Sequence, residues 1–93
     1  MQTVTEFEQQ VDIIERKLEG YVEHGTDEEL FLSGYLHGHF SLVVSQALLA
    51  KEYAMSALDA RMRASLHNAF DAKELEQADQ ALALSMWERL AQS

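Results

Sequence analysis

The chain has 93 residues, a hydrophobic content of 47 %, no cysteine and a net charge of −9. That length holds one domain, and the lack of cysteine excludes disulfides, thiolate metal sites and cysteine nucleophiles while suiting a reducing compartment. A field this negative, without clustered Lys and Arg, opposes nucleic acid and anionic membrane surfaces.

The N-terminus, MQTVTEFEQQ, has neither the basic nor the apolar run of a signal peptide, which points to a soluble, cytoplasmic protein. Val4, Phe7, Val11, Ile14, Leu18 and Tyr21 then recur at spacings of 3, 4, 3, 4 and 3. This is an a/d seam, and it predicts a first helix from Thr3 or Thr5 to His24. Glu8, Asp12, Glu15, Glu19 and Glu23 form a separate acidic stripe on its flank. Residues 1–30 hold nine acids against Arg16 and Lys17, so −7 of the total charge lies there. Gly25 fits a helix-ending position with a left-handed backbone.

Thr26-Asp27-Glu28-Glu29 matches a capping box and predicts the start of the second helix. A bend is expected at Gly34. From Phe31 to Ala50 run twenty residues without a formal charge. A helix of that length could cross a bilayer, but His37, His39, Gln46 and three serines would each need a partner in hydrocarbon. The segment therefore reads as the central post of a soluble bundle, wrapped on most sides. Its core face is Leu36, Phe40, Val43, Val44, Ala47 and Leu48. Gly34, Gly38, Ser41 and Ser45 form a stripe of small residues where the tightest helix crossing is expected.

A turn near Lys51–Tyr53 follows from length, because an unbroken helix to Phe70 would be long for this chain. The third helix carries Leu58, Met62, Leu66 and Phe70 at four-residue steps. A loop over Asp71–Glu76 leads to a fourth helix built on Leu75 or Ala78, Leu82, Met86 and Leu90, with Trp87 on a neighbouring face, read first as an anchor of that helix and second as an interface residue. The fold class is all-α: a small antiparallel up-down bundle of about four helices filling residues 1–93.

Few residues carry chemistry. His37 and His39 are two apart, so on a helix they point to roughly opposite sides and cannot chelate together. The Glu-x-x-His and His-Glu-x-x-His patterns are absent, as are a nucleophile elbow and a Gly-rich phosphate loop. No metal and no cofactor are expected. His39 shares a face with Tyr35, Val43 and Gln46 and should be partly buried with a hydrogen-bond partner. His37 reads as a surface or boundary residue, and His24 and His67 stand alone. The acidic stripe reads first as a solvated face and second as a docking face for a basic protein surface.

The runs Asp27-Glu28-Glu29-Leu30-Phe31, Ser33-Gly34-Tyr35-Leu36 and Gly38-His39 resemble the YfcL family of small proteobacterial proteins. Asp79-Gln80-Ala81 and Met86-Trp87-Glu88 look like that family's C-terminal segment, and the likeness is weakest over residues 49–58. The resemblance implies the fold, the compartment and a bacterial origin, and it implies no activity. It also marks Gly34, Tyr35, Gly38 and His39 as the patch to examine.

The leading expectation is a non-enzymatic protein-binding or adaptor module, monomeric or homodimeric, with an unknown protein partner and neither nucleic acid nor membrane as ligand. One alternative is a small-molecule or metal-binding bundle with a pocket near Tyr35 and His39. Another is an acidic nucleic-acid mimic.

Overall fold

The computed structural model describes residues 3–92, which form four α-helices: α1 (Val4–His24), α2 (Asp27–Ala50), α3 (Met55–Asp71) and α4 (Gln77–Ala91). Among the described residues there is no strand, and no helix is long and apolar enough to cross a membrane. The bundle measures 37 × 30 × 18 Å. At about 1.5 Å per residue, the 24 residues of α2 account for the long dimension.

Local chemistry sets the helix ends. Thr3 caps α1, its side chain accepting from the Glu6 N–H at 3.1 Å. The capping box forms in full: Thr26 Oγ1 accepts from the Glu29 N–H at 3.1 Å, and the Glu29 carboxylate accepts from the Thr26 N–H at 3.0 Å. Asp27, Glu28 and Glu29 then lie at the positive end of the α2 dipole. The turn after α2 falls where length placed it. Lys51 closes the helix in the left-handed region at φ 58°, with its N–H on the carbonyls of Ala47 and Leu48.

Two expectations about glycines are corrected here. Gly25 is extended, at φ −81° and ψ 165°, and needs no left-handed freedom. Its requirement is space: a Cβ there would stand 2.5 Å from the Tyr21 carbonyl oxygen. Gly34 makes no bend either, because α2 runs unbroken from Asp27 to Ala50. Nothing else in the chain forces a break, and one glycine inside a helix costs only about 1 kcal/mol.

α1, α2 and α3 lie side by side with α2 in the middle, and α4 packs behind against all three. Antiparallel order shows in the contacts. Phe7, early in α1, meets Tyr53 just beyond α2, with ring centroids 5.9 Å apart. The core between the layers is built from Phe7, Ile14, Leu36, Phe40, Leu58, Met62, Leu66, Met86 and Trp87, all essentially inaccessible to solvent. In α4 the buried residues are Ala83, Met86, Trp87 and Leu90, whereas Leu82 is exposed. This departs from a face centred on Leu82. Because α4 crosses three helices, its buried arc is broad, and a small residue fits where backbones come close.

The arrangement covers the back and sides of α2 and leaves its front open. Leu32, Ser33, Leu36, Phe40, Val43 and Ala47 are buried. Gly34, Gly38, Ser41 and Ser45 are exposed, and a Cβ built on either glycine would meet nothing within 4 Å. Leu48, expected on the core face, is exposed beside them because it lies about a quarter-turn from Ala47 at the end of the helix. The small-residue stripe is therefore not the tightest crossing of the fold, and α2 is not wrapped on most sides.

Candidate functional site

Tyr35 and His39 stand one turn apart on α2, on the side that faces α3. Their rings are tilted by 54° with centroids 4.8 Å apart. His39 Nδ1 lies 2.7 Å from Ser65 Oγ on α3, and His39 Nε2 faces Glu74 Oε1 at 3.8 Å. The Tyr35 hydroxyl donates to the same Glu74 oxygen at 3.1 Å. Glu74 belongs to the turn between α3 and α4, so four side chains from three elements close one polar cluster. With the imidazole proton on Nε2, towards the carboxylate, Nδ1 accepts from the Ser65 hydroxyl.

Electrostatics at Tyr35 follow from this placement. Loss of water around the ring, then the hydrogen bond to Glu74 and the charge of its carboxylate, push the phenol up from 10.0 to about 12. Each effect favours the neutral hydroxyl. Tyr35 is thus held as a donor, and Glu74 is bound rather than free to act elsewhere.

Serine, histidine and carboxylate in series have the order of a hydrolytic relay. A relay also needs donors aimed at a developing oxyanion. Ser65 sits inside α3, where the backbone N–H groups bond along the helix, and no sharp strand-to-helix turn presents it. The cluster instead ties α2 to α3 and to the following turn. Buried side-chain polar atoms among the described residues all have partners.

The four residues marked by the sequence divide into two pairs. Tyr35 and His39 enter the polar cluster, while Gly34 and Gly38 lie on the open front. Gly34 and His37 line a groove of about 330 Å³ with Leu18, Glu19, Val22 and Ser33, between α1 and α2. A larger hollow of about 590 Å³ lies at the α3–α4 turn among Phe70, Lys73, Glu74, Leu75 and Gln80. Its lining takes in Glu74 without Tyr35 or His39. Among the described residues, no three His, Asp or Glu side chains converge as a metal ion would require. Ser65 and Glu74 were not readable as members of this cluster. They lie 26 and 35 residues beyond His39, and only the fold brings them together.

On α1, Glu8, Asp12, Glu19 and Glu23 are exposed and Glu15 is half-buried. Asp12 pairs with Arg16 at 2.9 Å and Glu23 lies 3.6 Å from His24. Trp87 is the anchor that its position suggested. It is buried, rests 5.9 Å from Phe40 between ring centroids, and donates its indole N–H to Asp59 at 2.8 Å.

Fold and site together define a small all-α protein: a four-helix bundle with an internally paired polar cluster, an acidic first helix and an open central helix. Comparison with known proteins makes this more particular. The YfcL protein family matches residues 5–92, and the chain belongs to that family. It is 37 % identical over 89 residues to "Uncharacterized protein YfcL" of Escherichia coli (strain K12), covering 96 % of this chain and 94 % of that one. No solved structure matches it.

Proposed function

We propose that this protein is a non-enzymatic, cytoplasmic binding module whose partner is a protein with a basic surface, captured by α1. The observation that carries the reading is the acidic stripe, which is presented to solvent along α1 rather than spent inside the fold. Glu19 extends that charge into the groove beside α2, where Leu18 and Val22 supply apolar contact. Complementary charge speeds association and selects partners, and salt screens it over about 8 Å at physiological ionic strength. The polar cluster supports the same reading from the other side. Tyr35, His39, Ser65 and Glu74 bind one another, so their chemistry serves the fold.

Bacterial lysate passed over immobilised protein at low salt, followed by mass spectrometry, identifies the partner. The same capture with Glu8, Asp12 and Glu19 replaced by Gln is the decisive arm. The expected result is a basic protein retained by the unmodified chain, released by salt and retained poorly by the triple variant. Retention indifferent both to salt and to the three substitutions would reduce the stripe to a solvated face.

A further inference from the structure

The open front of α2 has an order that the bundle does not use. Phe31, Gly34, Gly38, Ser41, Ser45 and Leu48 follow one another at spacings of 3, 4, 3, 4 and 3. This is a second a/d seam, of the same length as the core seam of α1, and it faces solvent. Phe31 is 54 %, Leu42 54 % and Leu49 87 % exposed, which is unusual for large apolar side chains on one continuous helix face. Leu42 and Leu49 flank the seam along one side. Gly34 and Gly38 leave its floor low enough for another backbone to approach.

Two features of this face identify its occupant. The first is reversal symmetry. Read from either end, the seam runs from a large apolar residue through four small ones to a large apolar residue. A two-fold interface requires that self-complementarity, since each patch must fit its own copy. The second is charge. The chain carries −9, yet no acid, lysine or arginine occurs between Phe31 and Ala50. Two copies meeting here set no acid, lysine or arginine of α2 against its copy, with Glu19 of α1 and Arg61 of α3 only at the rims, whereas copies meeting through α1 would set acids against acids. A face that docked on anionic lipid would need flanking lysines and arginines, which this segment lacks.

We propose that a second copy of this chain docks on the front of α2, antiparallel and related by a two-fold axis that passes between residues 39 and 40 of each helix. Gly38 lies across from the partner's Ser41, Gly34 from the partner's Ser45, and Phe31 from the partner's Leu48. Each a position meets a d position, and the large residue at either end closes over the end of the opposing seam. The pairing does not depend on the reading of α1 as a docking face. It covers Gly34 at the edge of the groove that Glu19 lines and does not involve Glu8 and Asp12, so a dimer would still offer two acidic stripes to a partner.

Sedimentation velocity on the purified chain, from about 1 to 500 µM, tests this directly. The expected result is a concentration-dependent monomer–dimer equilibrium that salt does not weaken, in contrast to capture of a basic partner. Ser41→Glu alters an exposed position and sets carboxylates into the centre of the seam, where like charges are costly. It should weaken dimerisation at least about tenfold while leaving the circular-dichroism spectrum unchanged. Because the chain has no cysteine, register can be read separately. A variant with Gly38→Cys and Ser41→Cys should oxidise to a covalent dimer, and Gly20→Cys on α1 should not. A chain that stays monomeric at 500 µM overturns the proposal. So does a dimer indifferent to Ser41→Glu, or binding of the monomer to phosphatidylcholine vesicles that Leu49→Glu abolishes.

Discussion

Trp87 donates its indole N–H to Asp59 Oδ1 at 2.8 Å, joining the end of α4 to the start of α3. The same carboxylate accepts from Arg63 Nε at 3.1 and 3.0 Å, and Arg63 reaches on towards Glu88 at 3.8 Å. Asp59 thus satisfies a donor on a buried ring while its own charge is balanced one turn along α3. Asp59→Ala leaves that donor without an acceptor and should cost about 1–3 kcal/mol. Asp59→Asn keeps an acceptor oxygen and should cost less. Urea denaturation followed by Trp87 fluorescence checks both, and equal losses would show that the hydrogen bond contributes nothing.

Glycines in α1 and after it should respond in opposite senses to the same substitution. A Cβ at Gly20 meets nothing within 4 Å, so Gly20→Ala should stabilise the protein by about 0.5–1 kcal/mol through helix propensity. At Gly25 the new Cβ would strike the Tyr21 carbonyl oxygen at 2.5 Å. That oxygen also accepts from the Gly25 N–H at 2.9 Å, so the cap itself must shift. Gly25→Ala should therefore lower the melting temperature while Gly20→Ala raises it. Two shifts of the same sign would contradict this account.

The contrast shows what was legible in the sequence and what was not. Capping chemistry is local, and Thr26 with Glu29 named the start of α2 without help from the fold. The core seam of α1 was equally plain, because Phe7, Val11, Ile14 and Leu18 repeat for three turns. Small residues are ambiguous in a way that large ones are not. Gly34, Gly38, Ser41 and Ser45 look the same beneath a neighbouring helix as on an open face, and only the position of α4 behind α2 decides between them. Leu82 shows the converse, since a regular four-residue step through Leu82, Met86 and Leu90 passes beside the face that Ala83 and Trp87 bury. At the polar cluster, partial burial of His39 was readable from its neighbours along α2. Its partners Ser65 and Glu74 come from elements whose placement is tertiary.

Metal ions should not bind tightly to the cluster. His39 already holds Ser65 on one ring nitrogen and faces Glu74 with the other, and a metal would have to displace one of them. Calorimetry with Zn²⁺, Ni²⁺ and Mn²⁺ after chelator treatment should show no stoichiometric binding in the sub-micromolar range. Tight binding that His39→Ala abolishes would favour the metal-binding alternative over the protein-binding one.

Tyr35 gives the cluster a signature in alkaline solution. The chain has three tyrosines, Tyr21, Tyr35 and Tyr53, and Tyr35 is held neutral up to about 12 by loss of water and by Glu74. Unfolded, the same phenol ionises near its ordinary value of 10.0. Between those two values the unfolded chain has released a proton that the native chain keeps. The contribution is therefore fully present below pH 10 and is lost as pH rises towards 12. Absorbance at about 295 nm should show one tyrosine ionising late, together with loss of native structure. Tyr35→Phe should remove that late step, and Glu74→Gln should move it to lower pH by taking away the carboxylate. If the late step survives Tyr35→Phe, it belongs to another tyrosine, and the hydrogen bond to Glu74 does not govern ionisation of the cluster.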